Sequence, residues 1–135
     1  MVDGGESRAA RAGRWVLGVL FVGAGVLHLV VPGVYTAAMP PWLPAHRALI
    51  FASGVAEVAG GVGLLWPNPA VRRAAGWGLA LLLVAVYPAN VHMALADVGG
   101  PAWALWGRLP LQGALVAWAL LSSGALGPRP ATGGA

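Results

Sequence analysis

Four apolar runs, 17 to 22 residues long and separated by proline- or arginine-bearing segments, constrain this 135-residue chain more than any other feature. A hydrocarbon core about 30 Å thick takes about 20 helical residues to cross, and inside it every backbone N–H and C=O must be satisfied within the segment. The runs therefore predict transmembrane α-helices over about 15–31, 48–66, 74–95 and 108–126. The expected fold is all-α, a four-helix transmembrane bundle, with a polar tail over 1–14 and a flexible Gly/Pro tail over 127–135.

Composition supports this solvent. Hydrophobic residues make up 59% of the chain and charged residues 9%, against about 25% charged in soluble domains. So small a chain exposes too much of its surface to hide that apolar excess from water. The sequence pI of 11.2 reflects eight arginines against four acids. They fall between the apolar runs and form no basic face with interleaved aromatics, which excludes nucleic acid as a partner. The absence of cysteine excludes thiol chemistry for the chain acting alone.

The basic start, the first apolar run and Ala37-Ala38 also fit a secretory signal. That run exceeds the usual 7–15 residues, and Pro40-Pro41 crowd the cleavage site, so a retained helix is expected. Arg8, Arg11, Arg14, Arg72, Arg73 and Arg129 fall at one end of a four-span chain, Arg47 and Arg108 at the other. By the positive-inside rule both termini are expected in the cytoplasm of a bacterial inner membrane. Trp15 and Trp66 at one boundary, and Trp42, Trp103 and Trp106 at the other, read as aromatic belts.

A few polar residues interrupt the spans, and each is costly at bilayer depth unless paired or wet. Ser53, Glu57, Gly60, Gly61 and Leu64 share one face of the second helix, so Glu57 is expected to point into the bundle beside a closely packed neighbour. Gly18, Phe21, Gly25 and His28 form a similar stripe on the first. Asn90 and His92 lie about 200° apart around the third, and the inward place is assigned to Asn90. Arg108 and Gln112 lie one turn apart on the fourth. His28, Glu57, Asn90, Arg108 and Gln112 are therefore candidates for one polar ligand pocket in the outer half, with Glu57 paired to Arg108 or His28. Each has a structural reading beside it: a register-fixing ion pair, a snorkelling arginine, or interhelical hydrogen bonds. Pro88 frees the carbonyl of Val84, which then needs a partner from a neighbouring helix or a water. The proline-rich segment from Pro32 to His46 reads as a lid over the pocket or as an interfacial segment. Neither a metal site nor a nucleotide site is expected, and no catalytic residue is assigned.

These residues carry a family resemblance. His28 with Pro32 and Tyr35, Met39-Pro40-Pro41-Trp42-Leu43-Pro44, Ser53-Gly54-Val55-Ala56-Glu57 with Gly60-Gly61, Tyr87-Pro88-Ala89-Asn90, and Arg108-Leu109-Pro110-Leu111-Gln112 with Trp118 resemble the DoxX-like family of small bacterial membrane proteins. The resemblance implies a four-helix membrane bundle and a link to membrane redox processes, including quinone-coupled oxidation and thiol homeostasis. The missing cysteines set thiol relay aside for this chain.

Three functions are weighed. The leading one is a non-catalytic membrane subunit or anchor of a redox system, with an oxidoreductase as partner. The second is a quinone-binding oxidoreductase component in which Glu57 or His28 handles the head-group proton. The third is a small-molecule or proton carrier, and self-association into a homo-oligomer is open in all three.

Overall fold

The computed structural model describes residues 5–36 and 39–128. Arg129, the end of the 127–135 tail and Ala37-Ala38, used in the orientation and signal arguments, lie outside the described residues. Among those described there is no strand, and the elements in order are α1 (Arg8–Val30), α2 (Pro32–Thr36), α3 (His46–Leu65), α4 (Pro69–Ala96) and α5 (Ala102–Ser122). Helices α1, α3, α4 and α5 are each long and apolar enough to span a membrane. Four spans, none of which hides more than 28% of its most apolar window, leave most of their hydrophobic surface facing outward, where only lipid satisfies it.

The four spans match the four apolar runs, but each helix starts earlier than its run, and at α1 and α4 a side-chain cap marks the start. Helix α1 starts at Arg8, where the Ser7 hydroxyl accepts from the Ala10 N–H at 3.1 Å, so half of the expected 1–14 tail is helical. Arginines at headgroup depth do not end a helix; they only mark where its apolar stretch ends. Pro67-Asn68-Pro69 stops one helix and starts the next: the Asn68 side chain accepts from Ala70 N–H at 2.8 Å, and Pro69 takes the first helical position, where its missing N–H costs nothing. At 28 residues and 1.5 Å per residue, α4 is about 42 Å long, more than the apolar core requires. Helix α5 begins six residues before Arg108 and ends at Ser122, so Pro110 falls inside it. Helix α1 ends at Val30, and Pro32 opens the short α2.

Helix α1 packs along α3, α3 on α4, and α4 on α5, while α1 meets α5 more lightly. Leu17 and Phe21 of α1, Leu64 of α3, Leu79 and Leu83 of α4 and Ala119 of α5 make the shared core. The α1–α3 contact is closest because glycines face one another in one antiparallel register, Gly18 against Gly61 and Gly25 against Gly54, seven residues apart on each helix. A Cβ added at Gly18 would stand 3.1 Å from the Gly61 carbonyl oxygen, and one at Gly25 would stand 2.6 Å from that of Gly54. Backbone meeting backbone is how helices gain dispersion contact in lipid, where the hydrophobic effect no longer drives association.

The end that carries the chain termini is tied by arginines. Arg14 is 3% exposed; it donates to the Leu64 carbonyl at the end of α3 at 2.5 Å and grips the Glu6 carboxylate through Nε at 2.9 Å and a terminal nitrogen at 3.3 Å. Arg72 donates to the Trp66 carbonyl at 2.6 Å. Arg73 reaches the carbonyls that follow α5, those of Gly124 at 2.6 Å and Gly127 at 3.0 Å among them. These carbonyls lie at or just past helix C-termini, the negative end of the dipole, which suits a guanidinium.

Candidate functional site

The tight α1–α3 contact positions the first polar pair. Side chains on a helix lean toward its N-terminus, so on antiparallel neighbours they lean toward each other when one residue lies further along. His28, two residues from the end of α1, leans back into the bundle; Glu57, about 17 Å along α3 from His46, leans up toward it. His28 Nδ1 lies 3.0 Å from Glu57 Oε2. The expected partner of Glu57 is therefore His28 and not Arg108.

The same nitrogen lies 2.8 Å from the Ala24 carbonyl oxygen. That oxygen only accepts, so Nδ1 carries the proton, which assigns the ring tautomer or the imidazolium. One N–H cannot align on two acceptors. It serves Ala24, and Glu57 Oε2 stays buried in electrostatic contact with the ring, without an aligned donor among the described residues.

Tyr35 of α2 stacks on the face of the His28 ring, with centroids 3.8 Å apart and planes 17° from parallel. Burial pushes the Tyr35 phenol above its ordinary range, the Glu57 carboxylate pushes it further, and the Arg108 guanidinium offsets part of that. The phenol thus stays protonated at neutral pH and senses both charges. Of the proline-rich segment, Tyr35 forms the cover, and the backbone behind it is fixed by His46 Nε2 against the Pro40 carbonyl at 3.1 Å. Trp42 points outward, 71% exposed, at the level of an interface.

The second pair joins α4 to α5. Gln112 is buried; its amide donates to the Leu83 carbonyl and accepts from the Asn90 amide. A neighbouring helix does supply a hydrogen bond next to the Pro88 break, but on Leu83 and not on Val84. Leu83 faces the core, while Val84 is 62% exposed and points to lipid.

The five candidate residues thus come together as two pairs and a flanking arginine: His28 with Glu57 across α1–α3, Asn90 with Gln112 across α4–α5. Arg108 is exposed, and its guanidinium lies 3.8 Å from the Met93 sulfur. His92, placed off the inward face, is half-buried. Tyr35 is the neighbour absent from the candidate set; the sequence marks it by its place in the proline-rich segment, seven residues after His28, and by its part in the resemblance with His28 and Pro32. Between α3 and α4 a groove lined by Gly60, Gly63, Ala74, Ala75 and other small residues opens to lipid, apart from both pairs.

A family described as a domain of unknown function (DUF8561) matches residues 17–123, which takes in α1 from Leu17 onward, the other three spans and all five candidates. No curated protein matches the chain, and no solved structure does.

Proposed function

The chain belongs to the DUF8561 family, whose description assigns no activity, and we propose that it serves a membrane redox system as a small multi-pass subunit that offers a quinone-type head group a site at His28 and Glu57. The observation that carries this reading is the buried Glu57 Oε2, an acceptor with no aligned donor, set beside a protonated imidazole nitrogen under an aromatic cover. A hydroxylated ring fits that donor deficit: its O–H would donate to Oε2, and its flat face would suit the stacked His28 and Tyr35. A bound quinone would supply two-electron, two-proton redox chemistry. The chain's own contribution is to hold the ring and to offer the Glu57 carboxylate as the acceptor of its proton.

The redox setting, a bacterial inner membrane and an oxidoreductase partner are supported by the DoxX-like resemblance of the His28, Glu57, Asn90 and Arg108 motifs. Both termini in the cytoplasm is supported by the arginines gathered around Glu6 and Arg73.

The test is to isolate the protein in nanodiscs that retain native lipid, and to extract and quantify quinone per chain. Losing a hydrogen bond to a charged group costs about 1.5–3 kcal/mol, so Glu57→Gln should lower retained quinone by about tenfold or more, with His28→Gln close behind. An oxidoreductase should copurify with the parent. Equal quinone in the parent, both variants and protein-free nanodiscs would overturn the head-group site. With no native cysteine to remove, single cysteines at Gly5 and Val98 report the orientation by accessibility from either side.

A further inference from the structure

We propose that Tyr35 is a built-in competitor of the head group: its ring holds the face of His28 that the ligand ring takes, and the ligand enters as α2 carries Tyr35 aside. The inference rests on the head-group site proposed above and adds how access to that site is controlled.

Two observations make an opening necessary. Glu57 Oε2, the acceptor offered to the ligand, is closed to solvent. The His28 and Tyr35 rings are 3.8 Å apart and 17° from parallel, which is carbon–carbon contact distance, so no third ring fits between them. A ring that stacks on this face of His28 with its O–H on Oε2 must therefore take the place of Tyr35. Tyr35 suits the part of a stand-in, because it is itself a hydroxylated aromatic ring. Its phenol also lies near enough to feel the Glu57 and Arg108 charges.

The element free to move is α2. It has no buried residue, and among the helices it meets only α1 and α3. Its hydrogen bonds are local, from the Val34 N–H to the Val31 carbonyl at 3.2 Å and from the Thr36 hydroxyl to the Pro32 carbonyl at 3.5 Å. A Cβ added at Gly33 would meet nothing within 4 Å. Val31, at φ −127° and ψ 58°, breaks the helical path between α1 and α2, so rotation there moves α2 and leaves the spans in place. His28, in contrast, is backed by the α1–α3 contact, where its Cβ abuts Gly54. The lightly held partner yields and the tightly packed one stays. Ligand affinity is then reduced by the fraction of chains in which α2 is closed.

The experiment titrates the full chain in nanodiscs with trimethylhydroquinone, kept reduced with ascorbate, and reads binding by calorimetry against protein-free nanodiscs. Tyr35→Ala should bind it about three- to tenfold more tightly than the parent, the worth of one aromatic stacking contact. Tyr35→Phe keeps the ring and should stay close to the parent. Hydrogen–deuterium exchange of the parent needs no variant: saturating ligand should speed exchange at Val34, Tyr35 and Thr36 as α2 lifts away. Unchanged or weaker binding by Tyr35→Ala, or unchanged or slower exchange in α2, would overturn the displacement and leave the head-group reading standing. Binding by neither the parent nor Tyr35→Ala would overturn both. Because α2 buries no residue, both variants should keep the four spans, which circular dichroism checks.

Discussion

The glycine contacts between α1 and α3 make a quantitative prediction, because the same substitution can be placed inside and outside them. In Gly25→Ala the new Cβ would stand 2.6 Å from the Gly54 carbonyl oxygen, 2.7 Å from Val58 Cγ2 and 2.8 Å from the Val58 nitrogen. Two of the three are backbone atoms and cannot swing away. Restoring an ordinary 3.4 Å contact requires the helices to part by about 0.8 Å, and overpacking of this kind costs about 1–3 kcal/mol. Gly23→Ala, two residues earlier on the same helix, meets nothing within 4 Å. Both gain the same helix propensity, about 1 kcal/mol for alanine over glycine, so their difference isolates packing. Gly23→Ala should be neutral to stabilising. Gly25→Ala should fall below it by about 1–3 kcal/mol, or about 5- to 150-fold in the folding equilibrium. Because Gly54 also abuts the His28 Cβ, the same shift should loosen the His28–Glu57 contact and lower quinone retention. Reversible unfolding of both variants in mixed micelles measures the gap. Equal stability of the two would refute the claim that backbone proximity holds α1 to α3.

Two more expectations concern the other contacts. Gln112→Leu leaves the Leu83 carbonyl and the Asn90 amide without their partner; at about 0.6 kcal/mol per interhelical bond and up to about 3 for a buried group left unmade, it should cost about 1–3 kcal/mol in the same unfolding assay, and an unchanged midpoint would count against that pair. The Glu6 carboxyl is held below its ordinary 4.5, chiefly by the hydrogen bond from Arg14; burial opposes it, and the Arg14, Arg72 and Arg11 charges add to the lowering. A depressed folded value means a contribution present in full above 4.5 and lost as pH falls through the lower folded value. The Tm difference between the parent and Glu6→Gln should therefore be largest near pH 7 and close on acidification toward pH 3, and a gap constant with pH would contradict the assignment.

The four spans could be read from the sequence because lipid imposes one strong rule, an apolar run long enough to cross. Their ends could not, because ends are set by individual caps such as Ser7 and Asn68 and not by hydropathy. Pro67-Asn68-Pro69 looked like a single stop, yet its two prolines act on different helices. The pairing of Glu57 with a neighbour on a glycine-lined face was readable from spacing alone, and so was the inward turn of Asn90 and Gln112. What periodicity does not hold is the order of helices around the bundle. That order decides that His28 meets Glu57 across α1–α3, that Asn90 meets Gln112 across α4–α5, and that Arg108 lies beside Met93. Tyr35 could not be assigned to His28 either, since the stacking depends on the short helix that Pro32 opens.

Arg14 and Arg73 were first noticed as markers of orientation, and each also closes a helix end elsewhere in the chain, about fifty positions away in both cases. Under the orientation proposed above, insertion polarity and closure of the bundle depend on the same side chains. Moving these charges to reverse the chain in the membrane would also unfasten α3 and α5. Replacing Arg14 with lysine would keep its charge but lose the flat fork that serves a carboxylate and a carbonyl at once, giving a protein that still inserts the same way round but no longer locks at that end.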